Sequence, residues 1–189
     1  LESDQRRKVE LIADSGRAMM LLLNDILDMA KIEAGQMDVV EEPVNIVRQL
    51  HVTSELMAGA AASKGLDIHL DIPGDLPEWI VGDTLRLRQI LLNLLGNATK
   101  FTEQGSIAIA ARVTGSPDGD MLEIAVKDSG IGIAESRLQR IFDQFAQADS
   151  GIARKFGGTG LGLAISASLA KKMGGTIEVQ SEPDVGSTF

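Results

Sequence analysis

The chain has no cysteine and no tyrosine, a single tryptophan, and only 3% aromatic residues among its 189. Without cysteine there can be no disulfide, no thiolate metal ligand and no thiol nucleophile. So few rings leave no stacking platform for unpaired bases. Basic residues are also in short supply. Against 27 Asp and Glu stand 18 Lys and Arg, a formal net charge of −9, so no broad positive field exists to draw a phosphate backbone. Both features argue against a nucleic-acid partner. No apolar run reaches the roughly 18 residues that span a bilayer, and the charged start LESDQRRK does not resemble a secretory signal. This segment is therefore expected to make no membrane contact and to be cytoplasmic, although a longer parent could be anchored. What remains is 44% hydrophobic content carried by Leu, Ile, Val, Ala and Met. That suffices for one full core and an appended element.

From Val9, apolar or small residues recur at Ile12, Gly16, Met19, Leu23, Ile26 and Ala30 in alternating steps of three and four, a heptad seam. Leu11, Met20, Leu22 and Leu27 widen the apolar surface. The spacing thus predicts a helix buried on more than one side, as in a bundle or dimer, with an ordinary core helix as the plainer alternative. Gly35 stops it, and Met37–Asn45, broken by Pro43, reads as a short strand or edge segment. Ile46–Lys64 reads as helix. Leu66, Ile68, Leu70 and Ile72 alternate with Asp67, His69 and Asp71 as in a half-buried strand. After the Pro73–Pro77 loop, Asp83 can cap a helix running to about Thr102. Strands are predicted at Ser106–Val113 and Met121–Lys127 with a hairpin turn between them, a helix at Leu163–Met173, and a strand at Thr176–Gln180. No internal repeat is present. This order predicts a two-layer α/β sandwich, a mixed sheet with helices on one face, preceded by a long helix. The division falls at 1–35 for the helix and 36–189 for the globular unit.

Chemistry concentrates in three places. In the helix after Asp83, Leu87, Ile90, Leu91, Leu94 and Ala98 share one face, and Arg86, Asn93, Asn97 and Lys100 form a polar stripe beside it. An amide oxygen can ligate a hard cation such as Mg²⁺, and a lysine can meet phosphate. Standing alone, the same stripe would suit a solvated helix face. At Asp128-Ser129-Gly130-Ile131-Gly132-Ile133 a strand ends in an acid followed by glycines, so a flat ligand can approach backbone while the carboxylate accepts a donor such as an adenine amino group. Gly157-Gly158-Thr159-Gly160-Leu161-Gly162-Leu163 opens a helix whose N–H groups can bind an anion, with Arg154 and Lys155 just before it. Its spacing is neither that of a Walker loop nor that of a dinucleotide fingerprint.

Taken in order, these motifs resemble those of histidine kinases of the GHKL superfamily, from about Met19 to the last residue. GDTLRLRQILLNLLGNATKFT (82–102) is similar to that family's N box, Asp128–Ile133 to its first glycine box, and Ile141–Phe145 to its F box. KFGGTGLGLAIS (155–166) is similar to the second glycine box, and SEPDVGSTF (181–189) to the closing strand turn. LLLNDILDMAKIEAG (21–35) resembles the second helix of the dimerisation and phosphotransfer hairpin. The resemblance implies a Bergerat-type ATP-binding fold with ATP and Mg²⁺ as cofactors. It assigns the metal to Asn97, the metal and phosphate region to Asn93 and Lys100, and adenine to Asp128 and Thr188. Gly130 and Gly132 line the base pocket. Arg154, Lys155, Gly158, Thr159, Gly160, Leu161 and Gly162 belong to a lid over the phosphates, spanning about 134–160, which Phe142 and Phe145 pack against the body.

The reaction so implied is transfer of the ATP γ-phosphate to a histidine, then to an aspartate of a response-regulator receiver domain, within a homodimer formed through the N-terminal helix. In the family the acceptor histidine precedes an acidic residue. Here His51 precedes Val52 and His69 precedes Leu70, so the acceptor is expected outside this sequence, which reads as an excerpt of a longer protein. Two other readings stay open: a GHKL-type ATPase, and a degenerate scaffold acting through partner contacts. The first is disfavoured because it needs a glutamate where Asn93 stands, and a carboxamide cannot act as base toward water.

Overall fold

The computed structural model describes residues 3–116, 119–145 and 159–189. In chain order it contains α1 (Ser3–Glu33), β1 (Glu42–Asn45), α2 (Ile46–Ala62), β2 (Asp67–Asp71), β3 (Trp79–Gly82) and α3 (Thr84–Phe101). There follow β4 (Ser106–Ser116), β5 (Gly119–Asp128), α4 (Glu135–Leu138), α5 (Gly162–Lys172), β6 (Gln180–Glu182) and β7 (Gly186–Thr188). Local chemistry sets the helix limits. The Asn45 side chain accepts the Arg48 N–H at 2.8 Å to start α2, and Asp83 accepts the Arg86 N–H at 2.9 Å to start α3. Gly35, at φ +69°, closes α1, with the Gln36 N–H reaching back to the Lys31 carbonyl at 2.8 Å.

The main sheet has the order β2-β4-β5-β7-β6, with β2 parallel to β4 and every other pair antiparallel. Alternation along β4 and β5 sends Ile107, Ile109, Ala111 and Val126 into a core completed by Leu50 of α2, Leu91, Leu94 and Leu95 of α3, and Leu169 of α5. His69, Arg112, Glu123 and Lys127 lie exposed on the other face, where Arg112 Nη2 donates to both Glu123 carboxylate oxygens. A two-layer sandwich with helices on one face is thus present, as the element order predicts.

Two elements differ from expectation. Glu42–Asn45 pairs antiparallel with Trp79–Gly82 in a separate two-stranded sheet, placing the 58%-exposed Trp79 opposite Asn45. β3 is only four residues long and follows a turn-rich loop, so it carries no periodicity of its own. Near the end of the chain, Thr176–Val179 shows the apolar alternation of a strand, but the ladder with β7 runs through Gln180–Glu182. Pairing partners, not alternation, decide where the strand lies.

The long helix has two characters. Asp25, Asp28, Met29 and Ile32 form a half-buried stripe at helical spacing, and Met29 and Ile32 pack against the core. The heptad seam of Val9, Ile12, Met19, Leu23 and Ile26 lies on the exposed surface instead. No described helix is long and apolar enough to cross a membrane.

Candidate nucleotide-binding site

Because Leu94, Leu95 and Ala98 take the inward side of α3, Asn93, Asn97 and Lys100 emerge together at half-buried positions along its edge. Asn93 Nδ2 donates to Ser166 Oγ of α5 at 2.8 Å. Gly162 opens α5 directly against that carboxamide, and a methyl group on it would collide with Asn93 Oδ1. A side chain here would push the Asn93 carboxamide off Ser166. Lys100 sits 4.7 Å from the Phe101 ring centroid, and burial pushes its ammonium below the ordinary lysine range. Arg86 leaves the stripe: its Nη1 donates to Gln89 Oε1 at 2.9 Å and lies 3.9 Å from an Asp28 carboxylate oxygen of α1.

Asp128 ends β5 with only 6% of its surface exposed. Burial pushes its carboxyl above the usual range, and the N–H groups of Gly130, at 2.8 Å, and Ser187 act in the opposite direction. A buried carboxylate with so few donors is a strong acceptor for a ligand N–H. Backbone closes around it. A side chain on Gly130 would strike the Phe101 carbonyl, one on Gly132 the Glu182 carbonyl, and one on Gly186 the Asp128 carbonyl. Gly132 and Gly186 also hold φ of +64° and +133°, conformations that glycine alone adopts cheaply. The Asp184 N–H donates to the Ile131 carbonyl at 2.9 Å and the Ile133 N–H to Ser181 Oγ at 2.8 Å. The acidic loop, the end of α3 and the β6–β7 turn are thereby one unit.

The strand register redistributes two predicted roles. Thr188 pairs with Lys127, so its side chain emerges on the open face of the sheet, opposite to that of Asp128. Ser187 stands directly across from Asp128, buried, with its Oγ 2.9 Å from Ser181 Oγ. The motif reading does not point to Ser187. No local signal marks it, because the residue of the closing strand that faces Asp128 is set by the β5–β7 register. Leu161, expected over the phosphates, is 2% exposed and belongs to the core. Thr159 Oγ1 accepts the Leu161 N–H at 3.0 Å, and Gly160 takes φ +70°. Phe142 is half-buried, but Phe145 is 66% exposed at φ +58°, so it does not pack against the body. Arg154, Lys155, Gly158 and the 146–158 stretch of the expected lid lie outside the described residues.

Residues 82–189, which span all of these contacts from α3 onward, match the family described as Histidine kinase-, DNA gyrase B-, and HSP90-like ATPase. The chain belongs to this family. Within it, the chain is 40% identical over 190 residues to signal transduction histidine-protein kinase BarA of Escherichia coli K12, covering 100% of itself and 21% of BarA. It is 42% identical over 190 residues to hybrid signal transduction histidine kinase B of Dictyostelium discoideum, again over its full length and 10% of that protein. The crystal structure of full-length ShkA in complex with AMPPNP aligns with a TM-score of 0.85 and 38% identity, over 100% of this chain and 38% of that one. The chain therefore spans about a fifth or less of its curated relatives, and it is an ATP-binding catalytic domain of the histidine kinase type.

For such a histidine kinase domain, the metal question turns on donor chemistry. Among the described residues no three acidic or imidazole side chains gather into a cage. A hard cation at α3 would have the Asn97 amide oxygen, with the remaining positions filled by phosphate oxygens and water, which suits Mg²⁺. The residues present fit a metal brought with its nucleotide.

Proposed function

We propose that this chain is the catalytic core of a two-component sensor histidine kinase, moving the γ-phosphoryl group of Mg²⁺-ATP to a histidine outside this chain and thence to a response-regulator aspartate. The observation that carries the reading is Asn93. It occupies the position facing α5, bound to Ser166 Oγ, where an enzyme that hydrolyses ATP needs a base for water. A carboxamide cannot take that proton. An imidazole attacks without a base from this domain, so positioning and charge compensation are what the domain must supply.

In this reading Asp128 accepts the adenine amino N–H, with Ser187 holding the carboxylate from behind. Lys100 places its ammonium toward the phosphates. Asn97 holds Mg²⁺, which when bound offsets charge on the phosphoryl oxygens. The γ-phosphorus–oxygen bond breaks, a nitrogen–phosphorus bond forms, and ADP leaves. α1 acts as the second helix of a phosphotransfer hairpin, its exposed seam is the surface through which two copies associate, and the receiver domain is a later partner. The two histidines present are poorly placed as acceptors: His51 is exposed on α2, and His69 lies on the open face of the sheet, away from α3 and α5.

Calorimetry with Mg²⁺-ATP tests the site. Asn97→Ala should remove the magnesium-dependent part of the affinity, and Asp128→Asn should weaken every adenine nucleotide. Unchanged affinity in both variants would overturn the assignment.

A further inference from the structure

α1 meets the catalytic domain through acids. Asp25 Oδ2 accepts from Thr159 Oγ1 at 3.1 Å, and the same hydroxyl accepts the Leu161 N–H at 3.0 Å. One carboxylate of α1 is thus tied, through one side chain, to the turn that opens α5. Three residues on, Asp28 accepts from Gln89 Nε2 at 2.7 Å, with Arg86 3.9 Å away, and Glu33 accepts from Gln144 Nε2 at 3.0 Å. The start of a helix carries partial positive charge and favours an anion. Here the protein's own α1 brings a carboxylate to within one hydroxyl of that turn. Burial pushes the Asp25 carboxyl up, with the neighbouring Asp28 adding to it and the Thr159 hydrogen bond acting in the opposite direction. A triphosphate reaching the same turn would add several negative charges beside it.

We propose that Asp25 is a specificity-determining residue that opposes the phosphate tail, so that docking of α1 and binding of the triphosphate are antagonistic. Asp25 stands one hydroxyl away from the α5 turn, so its charge and that of a phosphate at the turn repel. Each weakens the other. Because coupling between two binding events is reciprocal, occupation by ATP should loosen α1 from the domain to the degree that docked α1 weakens ATP. The inference rests on the nucleotide-binding reading above and adds to it a discrimination by charge.

The experiment is calorimetric titration of the chain, in the presence of Mg²⁺, with ATP, ADP and uncharged adenosine. The parent is compared with Asp25→Asn and with Asp71→Asn, which removes the same charge from an exposed position on β2. Asp25→Asn should tighten ATP by about 5-fold or more, tighten ADP by less, and leave adenosine unchanged, while Asp71→Asn should behave as the parent. Equal gains for ATP and adenosine, or gains equalled by Asp71→Asn, would overturn the proposal. A second measurement needs no variant: amide exchange along residues 22–32 of the parent should speed up with ATP but not with adenosine. Unchanged exchange overturns it as well. A parent that binds neither ligand sinks the nucleotide reading and this one together, whereas a parent that binds both, with Asp25→Asn silent, sinks only the present proposal.

Discussion

Asp128 and Asp83 are buried aspartates pushed in opposite directions, and their pH behaviour should differ accordingly. Folded Asp128 holds its proton more tightly than an unfolded aspartate, so its contribution to stability falls as pH rises from the ordinary carboxylate range through its raised value. Over the same window the carboxylate ionises and adenine affinity should rise. Titrating affinity and melting temperature across mildly acidic pH would show the two moving oppositely. If affinity instead follows an ordinary surface aspartate, Asp128 is not the acceptor. At Asp83, burial alone would raise the pKa, but the N–H groups of Val40, Arg86 and Leu85 and the Arg86 guanidinium outweigh it and hold the carboxyl below its usual range. Its stabilisation is present at neutral pH and is lost as pH falls through that lowered value. Asp83→Ala removes the cap of α3 and strands the Val40 N–H that donates to it at 3.0 Å. A loss of about 1–2 kcal/mol is expected, read as a lower midpoint in urea without a change in slope.

At the scale of elements, the glycines at the ends of strands and helices should be the least replaceable. Gly132→Ala forces a side chain into the Glu182 carbonyl at φ +64°, so the β6–β7 turn must move and adenine binding should fall with stability. Gly115→Ala, with open space around it, serves as the neutral comparison in the same melting and binding assays. The same contrast explains what could be read beforehand. α3 was legible because a cap, a full apolar period and a polar stripe coincide in one stretch, and Asn93, Asn97 and Lys100 do emerge along one edge. The Asp128 turn was legible because acid and glycines are adjacent in sequence. β3, Ser187 and the burial of Leu161 were not read, since each depends on which strand or helix lies opposite, and that is settled by tertiary pairing. The face of α1 that docks was hidden for a related reason: Asp25 and Asp28 look like solvated residues until the helix meets Thr159 and Gln89.

For the molecule as a whole, the expected chemistry is binding without self-labelling. Incubated alone with γ-labelled ATP and magnesium, the chain should acquire no acid-labile phosphohistidine, because His69 lies on the open face of the sheet and His51 on α2, neither on α3 or α5. Supplying a hairpin helix with a histidine followed by an acidic residue should allow transfer. Label mapped to either native histidine, and lost on its substitution, would show the acceptor to be misplaced. A protein so completed that binds ATP but never labels would favour the scaffold reading.

The position of Trp79 has a spectroscopic consequence. It is the only indole in a chain without tyrosine, and it sits largely in water on the small β1–β3 sheet, separate from the sheet that ends in Asp128. Its emission should already resemble that of an unfolded chain, so it will shift little on denaturation and stay silent when nucleotide is added. Unfolding must then be followed by circular dichroism, and ligand occupancy by calorimetry or a fluorophore introduced near Asp128. A large emission change on adding ATP would mean that the small sheet responds to the nucleotide site.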